Sequence, residues 1–213
     1  MKEIYITLVL LTIFICSMII GYISYNFNRN ERFNFLVSFP FEMKSKSNRL
    51  TLIFRITLAF FCGISSVDSL VLFFISSSYA IEKILSLLII FNSFLLVSLF
   101  IIDTKSYKAH LVNSILFMVL NSFSYGLLAY LTFRSNFVFY QMWIGIVSLV
   151  ISIIILFIAF LPNLKNWYVL KKDEEGNLSR GKIFPLAFIE WINILFYVLL
   201  FVLVMVNYII FTL

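Results

Sequence analysis

Residues 137–161 read FVFYQMWIGIVSLVISIIILFIAFL, a stretch without Asp, Glu, Lys or Arg that is flanked by Arg134 and Lys165. A helix of about 20 apolar residues crosses about 30 Å of hydrocarbon, so this run is long and pure enough to span a membrane. Five further runs of the same character lie at approximately 4–25, 50–76, 80–102, 110–133 and 186–211. The first follows Lys2 and Glu3, exceeds the length of a signal-peptide core and lacks a small-x-small cleavage site, so it reads as a retained span.

The whole chain agrees with its parts. Its 213 residues are 62% hydrophobic, 19% aromatic and only 12% charged, with mean hydropathy +1.05. A water-soluble domain of this size needs more polar surface than that composition supplies. The expected fold is therefore an all-α integral membrane protein, a six-transmembrane-helix bundle forming one domain over residues 1–213. A soluble enzyme, a secreted disulfide scaffold, a disordered chain and a DNA-binding domain are excluded.

Lys and Arg set the expected threading, because cytoplasmic loops carry their excess. Twelve of the 16 fall in three loops, at 26–49 (Arg29, Arg32, Lys44, Lys46, Arg49), 103–109 (Lys105, Lys108) and 162–185 (Lys165, Lys171, Lys172, Arg180, Lys182). Lys2, Lys83 and Arg134 fall on the other side, and Arg55 lies within a span. Both termini are thus expected to be extracytoplasmic, in a multi-pass protein of the cell membrane. Anionic lipid at the inner leaflet accounts for the net charge of +6 without nucleic acid.

Two of these loops are long. In 26–49, Phe33, Phe35, Leu36, Val37, Phe39, Phe41 and Met43 interrupt the charges, the composition of a segment anchored at the membrane interface. In 162–185, the runs 167–172 and 178–184 flank Glu175-Gly176-Asn177, which predicts a small cytoplasmic β-hairpin between the fifth and sixth helices. Pro185 is well placed to open the sixth helix. Cys16 and Cys62 read as two buried thiols rather than a bridge, and one histidine with no cysteine pair at metal spacing gives neither a metal site nor a cofactor.

Projected at about 100° per residue, the polar groups of several spans fall into stripes. The fourth aligns His110, Asn113, Ser114, Asn121, Ser124 and Tyr125; the second aligns Arg55, Ala59, Cys62, Ser66 and Ser69; the fifth aligns Gln141, Gly145, Ser148 and Ser152; the sixth aligns Glu190, Asn193 and Tyr197. Small residues such as Ala59, Gly63, Gly145 and Ser152 also permit close helix approach. Arg55 and Glu190 sit about one turn inside the cytoplasmic ends of their spans, with His110 on the same side, so the three are expected to cluster, Arg55 hydrogen-bonding Glu190. Asp68 lies about 20 Å farther out along the second span.

Substrate or ion-binding candidates are therefore Arg55, Asp68, His110, Asn113, Asn121, Glu190 and Asn193; no catalytic residue is assigned. The reading that follows is a small transporter or lipid-handling protein with a cytoplasm-facing polar cavity. The alternative is a non-catalytic accessory, immunity or assembly subunit with a membrane protein partner, its polar stripes packed together. An intramembrane enzyme is least favoured, since no nucleotide, metal-hydrolase or nucleophile motif is present. A hydrated cavity lined by the stripe would support transport, and tight helix contact along it the accessory reading.

Overall fold

The structure is a computed structural model that describes residues 2–29, 33–43, 49–75, 80–102, 107–134, 142–160, 171–172, 178–179 and 185–212. Six helices in it are long and apolar enough to cross a membrane. They are α1 (Lys2–Arg29), α2 (Arg49–Ser69), α3 (Ala80–Leu99), α4 (Tyr107–Arg134), α5 (Met142–Ala159) and α6 (Pro185–Thr212). The second continues as a π-helical turn over Leu70–Ile75. Pro185 is the first residue of α6, where its fixed φ suits a helix start and its missing N–H costs nothing.

Helices adjacent in sequence pack as neighbours from α1 to α5, and α6 returns against α1, α4 and α5. Side chains that face outward are apolar, among them Ile15, Phe60, Phe94, Ile153 and Phe157. Many that face inward are polar, including Ser65, Asn92, Asn121 and Ser124. This inversion suits a hydrocarbon surround: apolar surface gains nothing by hiding from lipid, whereas every polar group gains by finding a partner inside.

A small residue decides how closely α4 and α5 approach. A Cβ added at Gly145 would lie 2.5 Å from Thr132 Oγ1 and 2.8 Å from the Phe133 ring, so glycine is what lets α5 close on α4. At Gly63 an added Cβ meets nothing within 4 Å among the described residues, and Ala59 is exposed beside it. The packing role expected for these two is therefore not seen; that face of α2 points outward.

The described part of the Phe-rich loop does not turn most of its rings outward, as its composition suggested. Residues 33–43 form a strap tucked into one end of the bundle, with Phe33, Phe39, Phe41 and Met43 buried and only Asn34, Phe35 and Leu36 exposed. Asn26 Oδ1 ties the strap to α1 by accepting from the Phe33 amide at 2.9 Å. A turn at Asn34 follows, and the strap ends in a 3-10 helix, Pro40–Met43. Phe39 and Phe41 fill a pocket with Leu186 and Ala187 at the start of α6. Trp191 Nε1 donates to the Ser38 carbonyl at 2.8 Å. Complete enclosure between helices buries more aromatic area than half-immersion at an interface, and the indole supplies the hydrogen bond the extended backbone needs.

Between α5 and α6, β1 (Lys171–Lys172) and β2 (Leu178–Ser179) pair antiparallel, Lys171 opposite Ser179 and Lys172 opposite Leu178. The rest of the expected hairpin, its turn included, lies outside the described residues. Two residues per strand make a bridge rather than a structural layer, and the β-hairpin is not supported as an element of the fold. Both cysteines are free; Cys62 is buried, but Cys16, expected to be buried, is exposed on the outward face of α1.

Candidate functional site

The α4 stripe turns inward as a unit. His110, Asn113, Ser114, Asn121, Ser124 and Tyr125 are all buried, as are Glu190, Asn193 and Tyr197 on α6. Residues three, four and seven apart share one face of a helix, which is why a single rotation buries them all. What they meet differs along the bundle.

At the strap end, His110 Nε2 lies 2.9 Å from Glu190 Oε1, both side chains having no exposed surface. Ser114, one turn along α4, donates its hydroxyl to the same Oε1. The other ring nitrogen, Nδ1, lies 3.0 Å from the carbonyl of Ile102. That carbonyl is available because α3 ends in a tight turn whose amides bond back to Val97 and Ser98. The His110–Glu190 contact is close but bent, with the ring N–H not aimed along the line to Oε1, so it is not a linear hydrogen bond. Glu190 Oε2 is buried and has no hydrogen-bond partner among the described residues. Phe39 and Phe41 of the strap stand roughly perpendicular to the imidazole, each with its ring centroid 5.4 Å away.

Arg55 does not join this cluster. It is exposed on α2, whose inward face is instead Thr51, Phe54, Leu58, Phe61, Cys62 and Ser65, and no Arg55–Glu190 pair forms among the described residues. Depth along a helix placed the two at the same level; rotation about the helix put Arg55 on the wrong side. The α2 stripe divides the same way, Arg55 and Ala59 outward and Cys62 and Ser69 inward.

Farther along, neutral groups bind one helix to the next. Asn121 Nδ2 donates to Asn193 Oδ1 at 2.9 Å and to the Asn193 carbonyl at 3.2 Å. Tyr125 donates to the Phe196 carbonyl at 2.5 Å. Asn113 faces α3, its Oδ1 accepting from Ser98 at 2.6 Å and its Nδ2 donating to the Leu95 carbonyl at 3.3 Å. The Tyr197 hydroxyl meets Ser93 at 2.6 Å, and Ser93 meets Ser65 at 3.1 Å, so three helices share one hydroxyl chain. Ser24 and Thr51 link α1 to α2, and Ser122 and Ser152 exchange bonds between α4 and α5.

Asp68 stands apart from both groups. Buried to within 9% of complete, it lines an otherwise apolar groove of about 610 Å³ on the outer face of α2 with Ile6, Ala59 and Gly63.

Of the seven candidates, then, His110 and Glu190 come together, Asn121 and Asn193 come together, Asn113 turns to α3, and Arg55 and Asp68 lie elsewhere. Sequence reasoning missed the two strap phenylalanines over His110 and the Trp191 anchor; the signal was the aromatic content of the loop, read as affinity for lipid. Among the described residues no three His, Cys, Asp or Glu side chains group as metal ligands would. Compared with protein families, with curated proteins and with solved structures, the chain matches none of them.

Proposed function

We propose that this polytopic membrane protein acts as a non-catalytic accessory subunit, whose polar stripes hold its own helices together rather than line a path for a solute. The observation that carries this reading is the Asn121–Asn193 contact at 2.9 Å, flanked along the same α4–α6 seam by the His110–Glu190 and Tyr125–Phe196 contacts. Side chains at such separations leave no room for a solute between them. Interhelical hydrogen bonds of this kind are a recognised way of holding helices together where lipid removes the hydrophobic drive.

The setting in this reading is the cell membrane, with both termini extracytoplasmic and the basic loops against anionic lipid. The partner is another membrane protein, because little of the chain lies outside the spans.

The transport reading retains one observation, the spare acceptor at Glu190 Oε2, and one experiment separates the two. In a background of Cys16→Ser and Cys62→Ala, single cysteines at Asn113, Asn121 and Asn193 are exposed to a water-soluble maleimide in native membranes and in detergent. A closed seam leaves all three unlabelled until the protein is denatured. Labelling of the native protein at two or more of these positions would establish a water-filled path and overturn the accessory reading.

A further inference from the structure

Two arginines of α2 face outward at its strap end. Arg49 is the first residue of the apolar span and Arg55 lies inside it, and both are exposed. Neither has an ion-pair partner among the described residues. An outward arginine within a span has hydrocarbon around it, so it is costly unless an anion meets it. Beside the pair runs the groove of about 610 Å³, walled by Ile56, Ala59, Phe60, Gly63 and Val67 with Ile6 of α1. Ile56 adjoins Arg55 in the chain, and at about 100° per residue Ile56, Ala59 and Gly63 all fall within the sector between Arg55 and Arg49. The two cations therefore flank the mouth of the groove. Its floor is open, since a Cβ added at Gly63 meets nothing within 4 Å among the described residues.

We propose that this face of α2 seats one anionic phospholipid, its phosphate held between Arg49 and Arg55 and one acyl chain lying in the groove. Arginine is suited to the first task because its planar fork of donors matches phosphate oxygens. Long helical side chains lean toward the helix N-terminus, so Arg55 can reach back along α2 to the level where a headgroup lies. On the expected threading that end is cytoplasmic, the side on which anionic lipid is found. The groove suits the second task by length: from Ile56 to Val67 the helix rises about 17 Å, close to the roughly 15 Å of hydrocarbon in one leaflet. Asp68, the acidic residue of the lining, lies about 20 Å from Arg55, too far along to oppose the phosphate. A second copy related by an axis along the membrane normal fits poorly, because it would set Arg55 against Arg55 where the dielectric is low. A zwitterionic lipid brings a cation of its own to two cations. The proposal stands apart from the accessory reading, which rests on the α4–α6 seam.

Purified protein in detergent is titrated with phosphatidylglycerol or with phosphatidylcholine carrying the same acyl chains, and bound lipid is counted by native mass spectrometry. The wild type is expected to hold one phosphatidylglycerol about tenfold more tightly than phosphatidylcholine. Arg49→Gln combined with Arg55→Gln is expected to abolish that preference, while Lys83→Gln combined with Lys108→Gln, an equal loss of charge elsewhere, keeps it. Gly63→Leu, which fills the groove and leaves both arginines, is expected to weaken binding of both lipids several-fold; Ala59→Leu repeats the test on the same floor should Gly63→Leu not fold. Equal affinity of the wild type for the two lipids, or an equal loss of preference in the two charge-reduced proteins, overturns the headgroup site. Undiminished binding in the groove-filling variants overturns the seat for the chain. A disulfide from Gly63→Cys to a second copy or to another membrane protein, formed in native membranes with Cys16 and Cys62 replaced, would show that a helix covers this face and overturns the lipid as its occupant.

Discussion

Asn121 and Asn193 meet as two neutral amides, whereas one turn back along α6 Glu190 meets His110 as an acid against a base, 2.9 Å apart under two phenylalanine rings. Both contacts join α4 to α6 away from water, yet they respond differently to loss of a partner. An amide left alone is a dipole that finds a nearby carbonyl or hydroxyl at modest cost. A carboxylate left alone is a buried charge, and nothing apolar around it can compensate. The amides therefore serve as replaceable glue and the acid–base pair as a site whose two members must be kept or removed together.

The sharpest way to break this contrast is to remove the histidine. His110→Ala should destabilise the protein by about 3–5 kcal/mol, the cost of stranding a buried charge, seen as a sharp loss of monodisperse yield and a lower melting temperature in detergent. The double change His110→Leu with Glu190→Leu should recover much of it. Equal damage from the single and the double change would mean the contact is incidental.

The next largest effect is steric and tests the α4–α5 contact, whose closeness is set by a glycine. Gly145→Ala drives a methyl into Thr132 and Phe133 and should cost about 1–3 kcal/mol. Gly63→Ala, on the open face of α2, should be neutral to slightly stabilising, by up to about 1 kcal/mol. Melting curves of the pair check both predictions together.

For the amides, a double-mutant cycle of Asn121→Leu and Asn193→Leu should return a coupling of roughly 0.6 kcal/mol, up to about 1.7. A value as large as that of the acid–base pair would erase the distinction drawn above. The smallest effect is expected from Arg55→Leu, within about 0.5 kcal/mol of wild type, because Arg55 is exposed and not paired with Glu190. A loss comparable to that of His110→Ala would restore the three-residue cluster that the sequence suggested.

The helices were legible in the sequence because bilayer thickness imposes a length on every span, and charged residues mark the ends. The inward rotation of α4 was legible too, since its polar residues align so closely that only one orientation hides them. The rotation of α2 was not: its stripe mixed Arg55 and Ala59 with Cys62 and Ser69, and helix phase alone could not say where the boundary between lipid and bundle fell. The pairing of His110 with Glu190 rather than of Arg55 with Glu190 needed the order of helices around the bundle, which no periodicity encodes. The strap was misplaced for a related reason. Phe39 and Phe41 favour any apolar surround, and only the pocket at Leu186 and Ala187 with the donor on Trp191 makes the bundle interior better than lipid.

Whether the polar faces of α4 and α6 touch each other or enclose a space is tested most directly by joining them. With Cys16 and Cys62 replaced, Asn121→Cys and Asn193→Cys are introduced together, a protease site is inserted in the 162–184 connection, and membranes are treated with a mild oxidant. Side chains within hydrogen-bonding distance predict rapid formation of a disulfide that keeps the two fragments together after cleavage and releases them on reduction. Fragments that separate without reductant, while a control pair at Ser93→Cys and Tyr197→Cys, which also spans the cleavage site, cross-links, would show that the two faces stand apart and that the seam is a cavity.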